Sequence, residues 1–401
     1  MEKKCIFLTL PLMDFGGQER FVSRLTTILK DTYELKLIIF DDTVIGYPID
    51  CDYFSLNISP FLSRKPLRKV FKIIKKIFSL RRLMTRYQPY ASVSFGTSAN
   101  FFNILAGAGK CQTIISIRGY SGLYKLKLNN SRGYFSRLLY SRANKIICVT
   151  NLMADELKQI IPAQKDKICR LYNAYNIEEI NKFAQQENEL ASWFAENEVI
   201  VAVGTLRSEK GYWHLIKAFS VLKKTRNRVK LLHIGAEHLD NGPKLNQLIQ
   251  NLGLVDDVVL LGYRENPFKY CSRSRGFVLS SVSEGFPNVL VEAMACGVPV
   301  IAADCKTGPR EILSEANYQK VADDIEFADY GILIPPLTRT ENYNPEVIEE
   351  CDRKLAEAID LLLNNEELAK KYAIKAKERA SDYSYERCKQ EIIKIIEQEV
   401  N

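Results

Sequence analysis

Apolar residues fall along this chain in two alternating rhythms. Short runs rich in apolar residues read as strands: "KCIFLTLPL", "YELKLIIF", "ASVSF", "QTIISI" and "KIICVT" in the first half, then "EVIVAVGTL", "VKLLHIG", "VVLLGY", "GFVLSS", "VPVIAA" and "GILIPP". Between them lie segments such as "ERFVSRLTTILKD" and "NLMADELKQII", whose apolar residues recur at helical intervals. Strand and helix in alternation predict an α/β protein built on doubly wound parallel sheets, and the polar stretch 176 to 198 divides two of them. The expected organisation is a first domain over 1–185, a second over 186–383, and a last helix over 384–401 packing back toward the first. Ligands of such sheets bind beyond the carboxyl ends of the strands, so a cleft between the two domains is the expected site.

Composition, 46% hydrophobic and 26% charged over 401 residues, is that of an ordinary globular protein with sizeable cores. No stretch reaches about 18 uncharged apolar residues, and Asp14 breaks the N-terminal apolar segment, which points to an intracellular protein without a span or secretory signal. Ten scattered cysteines without a C-x-x-C pair suggest reduced core thiols and no zinc site.

Charge changes the picture more. Residues 1–185 hold 29 Lys/Arg against 14 Asp/Glu, and from 53 to 154 there are 18 Lys/Arg and no acidic residue. The densest part is "SRKPLRKVFKIIKKIFSLRRLMTRY". There Val70, Phe71, Ile73, Ile74, Ile77, Phe78, Leu80 and Leu83 interleave with Arg68, Lys69, Lys72, Lys75 and Lys76 near helical spacing. This predicts a basic amphipathic helix over 64–86, suited to an anionic membrane surface or an acidic ligand, with Phe71, Ile74 and Phe78 available to the interface. A solvated helix face is the plainer alternative, although such faces usually mix signs. No zinc-finger or RNP pattern supports a nucleic-acid partner.

Candidate chemistry gathers at strand-to-helix turns. "LMDFGGQER" places Gly16 and Gly17 after the first strand; "VGTLRSEKGYWHLIKAF" places Gly204, Arg207, Lys210 and Gly211 after the first strand of the second half, where cations can meet phosphates; "TGPREIL" opens another helix. In "SVSEGFPNVLVEAMACGVPVIAA" (281 to 303) a strand, loop, helix and strand carry Glu284 and Glu292. A carboxylate on a helix apolar on most faces needs donors, and the hydroxyl pairs of a ribose or sugar supply them. The plainer reading puts Glu292 on a wet face. "GAGKC" (107 to 111) is not a nucleotide P-loop, since Ile104 and Cys111 stand at two of its defining positions, and Asp50-Cys51-Asp52 lacks the strand context of a metal-binding motif.

The run 261 to 313, with its Glu, seven residues, Glu signature at 284 and 292, resembles family 4 of the retaining nucleotide-sugar glycosyltransferases. Weaker matches are 204 to 211, "GGQER" and "LYNAYNIEEI". The resemblance covers most of the chain, tightly in the second half and loosely in the first. It implies the GT-B architecture, two Rossmann-like domains facing a central cleft, the first toward acceptor and membrane and the second holding the nucleotide sugar. The "NPF" and "GPREIL" variant is similar to bacterial enzymes of lipid-linked and surface polysaccharides. The activity this implies is transfer of a hexose or N-acetylhexosamine, from a UDP-sugar by preference, to a lipid-linked or growing glycan of capsule, O-antigen (lipopolysaccharide) or exopolysaccharide. The enzyme would be cytoplasmic and peripheral at the inner face of the plasma membrane, without metal or other cofactor. By the same resemblance Glu292 binds the ribose. Glu284, with the backbone of Gly285, Phe286, Pro287 and Asn288, holds the donor sugar, and Lys210 and Arg207 neutralise the leaving diphosphate. Gly16, Gly17, Arg118, Gly204 and Tyr263 complete the donor site. Two positions depart from the family pattern: Thr205 follows Gly204 where an Arg is frequent, and Arg118 stands where many members carry a His. The rival readings are a nucleotide-sugar epimerase of the same architecture, marked by release of a free sugar isomer, and a non-enzymatic scaffold that binds nucleotide sugar or membrane.

Overall fold

The computed structural model describes residues 2–59, 66–238 and 241–398. Positions 64 and 65 of the basic stretch therefore lie outside the described residues. The chain forms two compact units, Met1–Ala174 with Tyr385–Asn401, and Tyr175–Ser384.

In the first unit seven strands, β1 (Cys5–Leu10), β2 (Glu34–Ile39), β3 (Asp52–Ser55), β4 (Ala91–Phe95), β5 (Gln112–Ile117), β6 (Lys145–Cys148) and β7 (Ile168–Arg170), make one sheet. Their order is β3-β2-β1-β4-β5-β6-β7, and every pairing is parallel. The inner strands are buried almost throughout, which is why they carry apolar side chains on both faces, with small polar residues such as Thr9, Ser92, Ser94 and Ser116 buried among them. In the second unit the strands are β8 (Glu198–Val203), β9 (Val229–Ile234), β10 (Val258–Leu260), β11 (Gly276–Leu279), β12 (Val300–Ala303), β13 (Glu326–Phe327) and β14 (Ile332–Ile334). They stand in the order β10-β9-β8-β11-β12-β14-β13, parallel except for the β13–β14 edge. Both orders reverse direction beside the first strand, between β1 and β4 and between β8 and β11. Such a reversal opens a crevice at the carboxyl ends of the two strands. The glycine turn at 16–17 follows β1, and the Gly204–Gly211 loop follows β8.

The sequence puts the join of the two domains near 185, whereas the second unit begins at Tyr175. Helix Ile177–Ala184 belongs with the second unit because its last carbonyls are spoken for there: Asn266 Nδ2 donates to Phe183 O at 2.9 Å and Ser272 Oγ to Ala184 O at 2.9 Å. The last helix, Tyr385–Glu397, buries Cys388, Ile392, Ile395 and Ile396 in the first unit's core beside Phe21 and Leu25. Arg170 and Glu391, 2.6 Å apart, fix it from outside.

Helix Pro66–Tyr87 turns Leu80 and Met84, with Ile73 and Ile77, toward Phe7, Ile38, Phe40 and Phe102. Its far side carries Leu67, Val70, Phe71, Ile74 and Phe78 in water. Lys76 corrects the expectation that it serves a membrane or acceptor surface: it is 1% exposed, its ammonium lying 5.0 Å from the Phe40 ring and 5.2 Å from the Phe102 ring. Burial, with Lys72 adding to it and Asp41 opposing, lowers its pKa to about 8. The reason is angular, since Lys76 lies within the arc bounded by Leu83 on one side and Leu80 and Ile73 on the other, all of which pack on this core. Among the described residues no helix is long and apolar enough to cross a membrane. All ten cysteines are free thiols.

Candidate active site

At the crevice of the second sheet, the turn Ser208–Lys210 meets the loop after β11. Lys210 Nζ lies 2.7 Å from Glu284 Oε1, both side chains mostly buried. Ser281 Oγ donates to the same oxygen at 2.7 Å. Burial by itself would lower the Lys210 pKa, but the charge of Glu284 and its hydrogen bond raise it above the ordinary value, so the ammonium persists. Backbone bonds lock the two loops: Val282 N donates to Glu209 O at 2.9 Å and Ser280 Oγ to Lys210 O at 2.9 Å. Gly211 takes a left-handed φ of 61° and lies so close to Ser280 O that a Cβ would stand 2.2 Å from it. Arg207 is half exposed, 3.8 Å from Glu209.

The loop's entry is held from β9. Gly204 O accepts from His233 Nε2 at 2.9 Å, and Gly235 passes so near that a Cβ there would lie 1.9 Å from the same oxygen. Burial drops the His233 pKa to about 4, against the pull of the Gly204 bond, so the ring is neutral with its proton on Nε2. His233 is absent from the residues that the sequence singles out, although a histidine inside the apolar run "VKLLHIG" is a usable signal.

The segment 285 to 288 is fixed from two sides. Thr307 N donates to Glu284 O at 3.1 Å and Thr307 Oγ1 to Gly285 O at 2.8 Å. Opposite, the Phe286 ring meets Tyr383 edge-on at 5.5 Å, and Tyr175 OH donates to Asn288 Oδ1 at 2.6 Å. Pro287 caps helix Asn288–Ala295 and sits against Gly308, where a Cβ would approach its ring carbon to 2.7 Å. Glu292 is 4% exposed on that helix, which removes the wet-face alternative. Arg310, behind the "GPREIL" turn, is buried with its Nε 2.8 Å from Asp304 and its Nη1 and Nη2 on Glu326 at 3.0 and 2.8 Å. Tyr263, after β10, is exposed, and its carbonyl accepts from Arg264 Nη1 at 2.9 Å.

The remaining candidates belong to the first unit. Gly16 precedes helix Gly17–Leu29, and the Glu19 carboxylate folds over it, so that a Cβ at Gly16 would lie 2.1 Å from Glu19 Oε2. Arg118 stacks on Phe21 at 3.8 Å, donates to Leu171 O at 3.2 Å and bonds Asn173 Oδ1, which ties its guanidinium into the unit's own framework. On the basic helix Arg68, Lys69 and Lys75 are exposed and Lys72 half-buried. Tyr124, Tyr134, Phe135 and Leu138, which the sequence pattern does not mark, are all exposed on the basic helices Tyr120–Lys127 and Ser131–Tyr140. "GAGKC" ends a helix and leads into β5, the reverse of a P-loop's strand-to-helix order.

Comparison with known proteins adds to this geometry. The family described as Glycosyltransferase Family 4 matches residues 15–179, and that described as Glycosyl transferases group 1 matches residues 185–329. An uncharacterised glycosyltransferase of Methanocaldococcus jannaschii is 30% identical over 375 residues, covering 88% of this chain and 90% of that protein. The N-acetylgalactosamine-N,N'-diacetylbacillosaminyl-diphospho-undecaprenol 4-alpha-N-acetylgalactosaminyltransferase of Campylobacter jejuni is 29% identical over 389 residues, 96% of each chain. The crystal structure of Anabaena HepE in complex with UDP superposes with a TM-score of 0.72 at 19% identity, covering 98% of both chains.

Proposed function

The chain belongs to the family 4 glycosyltransferases and has their GT-B fold, and from that premise we propose that it is a retaining, metal-independent enzyme of bacterial surface polysaccharide synthesis. Its donor is a nucleotide diphosphate sugar, a UDP-sugar by preference, and it moves a hexose or N-acetylhexosamine to a lipid-linked or growing glycan. The observation that carries the reading is the Lys210–Glu284 pair at the crevice between β8 and β11. Glu284 only accepts hydrogen bonds, so it suits sugar hydroxyls, and its grip on Lys210 keeps the ammonium where a departing diphosphate gathers charge. The bond from the anomeric carbon to the β-phosphate oxygen breaks while the acceptor hydroxyl forms its bond on the same face, and the hydroxyl's proton passes to the departing phosphate. Glu292 takes the ribose hydroxyls. Lys210 and Arg207 supply the positive charge, so the reading asks for no divalent ion and no other cofactor.

The acceptor half of the reading rests on helix Pro66–Tyr87, where Leu67, Phe71 and Phe78 are 85%, 68% and 74% exposed beside Arg68, Lys69, Lys72 and Lys75. Each cation near anionic lipid contributes about 1 kcal/mol, and apolar side chains on the same helix suit the headgroup boundary. The diphospho-undecaprenol acceptor named for the Campylobacter jejuni relative agrees with a peripheral enzyme at the inner face of the plasma membrane.

The test is a panel of UDP- and GDP-sugars with the purified chain, read by thermal stabilisation and slow donor hydrolysis, with and without EDTA. One sugar nucleotide should stabilise the protein and hydrolyse equally in EDTA. A free sugar isomer released without acceptor would make it an epimerase, binding without turnover would make it a scaffold, and rescue of EDTA-treated protein by magnesium or manganese would overturn the metal-independent mechanism.

A further inference from the structure

Between β14 and helix Glu350–Asn364, residues 335 to 349 form a long connection with neither helix nor strand. Connections of about this length in compact domains usually have a task. This one straps across helix Tyr212–Leu222. His214 Nε2 bonds Thr338 O at 2.9 Å, Lys217 Nζ donates to Val347 O at 2.8 Å, and the Tyr343 ring lies 6.0 Å from Trp213. His214 and Lys217 are both fully buried.

The second ring nitrogen of His214, Nδ1, lies 2.5 Å from Asp352 Oδ1. Asp352 stands in the first turn of helix Glu350–Asn364, and its other oxygen accepts from Glu349 N at 2.9 Å in a reciprocal cap. A carbonyl and a carboxylate only accept hydrogen bonds, so both ring nitrogens carry hydrogens and the ring is an imidazolium. Burial opposes that charge, and the bonds to Asp352, Cys351 and Thr338 overcome it, lifting the pKa to about 10. His214, Cys351 and Asp352 place one ligand atom each within 4.8 Å of one another, the composition of a metal site. A metal would need a bare lone pair on Nδ1, which is where Asp352 requires a hydrogen.

The clamp sits one turn from the chemistry. His214 N donates to Gly211 O at 3.0 Å, and Gly211 directly follows Lys210. We propose that His214 is a positioning residue for Lys210: by joining the first turn of its helix to the strap and to Asp352, the imidazolium holds the Lys210 ammonium at Glu284 and so at the diphosphate. This inference rests on the reading of Lys210 as the diphosphate's partner.

Calorimetry with UDP and with uridine, on the full chain, tests it. Wild type should bind UDP far better than uridine. His214→Asn should lose about tenfold of that preference while binding uridine unchanged, and should cost nothing more when Lys210 is already Ala. Asp352→Asn, which leaves the ring without its counter-charge, should reproduce the effect and serves in its place if His214→Asn does not fold. An unchanged UDP-to-uridine ratio in these variants, an additive loss in the double variant, or a stoichiometric metal retained through EDTA would overturn the inference. A wild-type protein that does not prefer UDP to uridine would instead overturn the reading of Lys210, and this inference with it.

Discussion

Lys76→Met should stabilise the first unit, and the size of the effect can be worked from the site. Lys76 is 1% exposed, and its buried amine faces two aromatic rings and has no hydrogen-bond partner among the described residues. A fall from the ordinary 10.5 to about 8 corresponds near neutral pH to roughly 3 kcal/mol of disfavoured charge. The rings return about 1–2 kcal/mol of this through their attraction for the cation. Methionine keeps the straight chain and its packing, so the net gain is about 1–2 kcal/mol, or about 3–6 °C in the unit's melting temperature. The pH dependence gives the sharper check. Between about 8 and 10.5 the unfolded chain holds a proton that the folded protein has shed, so wild-type stability rises with pH across that window. The gap between variant and wild type should therefore be full below pH 8 and close by about 10.5. Differential scanning fluorimetry from pH 6.5 to 10.5 reads both. A lowered melting temperature, or a gap that does not change with pH, would refute the picture of a charge buried at a cost.

Charge reversal at Lys69, Lys72 and Lys75 should release the protein from anionic vesicles at low salt and slow transfer to a lipid-linked acceptor, sparing donor hydrolysis; a wild type that ignores such vesicles in sedimentation would remove the membrane reading. Lys210→Ala should cut donor turnover by about 10²–10³-fold, and adding Glu284→Gln, which removes the stranded carboxylate, should recover melting temperature but not turnover. Glu292→Gln should weaken donor binding by roughly 1.5–3 kcal/mol in calorimetry with the fold intact by circular dichroism. The His214 pair should stabilise the second unit fully below about pH 6.5, and its contribution should fade as pH climbs through about 10, because the folded ring keeps a proton that the unfolded one loses. Cys351, Glu349 and Lys217 surround the same pair, so melting curves of His214→Asn against wild type across that window isolate the ring.

What the sequence determines by itself is whatever depends on one element at a time. A strand covered on both faces must be apolar along nearly its whole length, so runs such as "VIVAV" and "VPVIAA" declare a parallel sheet. The turns that carry Gly204, Lys210 and Glu284 are equally local, and so is the lack of acid from 53 to 154. Tertiary structure decides whatever depends on register between distant elements. Lys210 and Glu284 are 74 positions apart, and they meet because β8 and β11 pair with Ile200 beside Gly276. The same pairing of distant strands and helices brings Thr307 under Gly285, Tyr175 against Asn288, and Asp352 onto His214. The basic helix shows both limits at once. Its spacing of Lys and Ile fixes a two-sided helix, but several rotations about its axis satisfy that pattern. Only contact of Leu80 and Met84 with Phe40 and Phe102 selects one, and that choice buries Lys76 while leaving Phe71 and Phe78 in water.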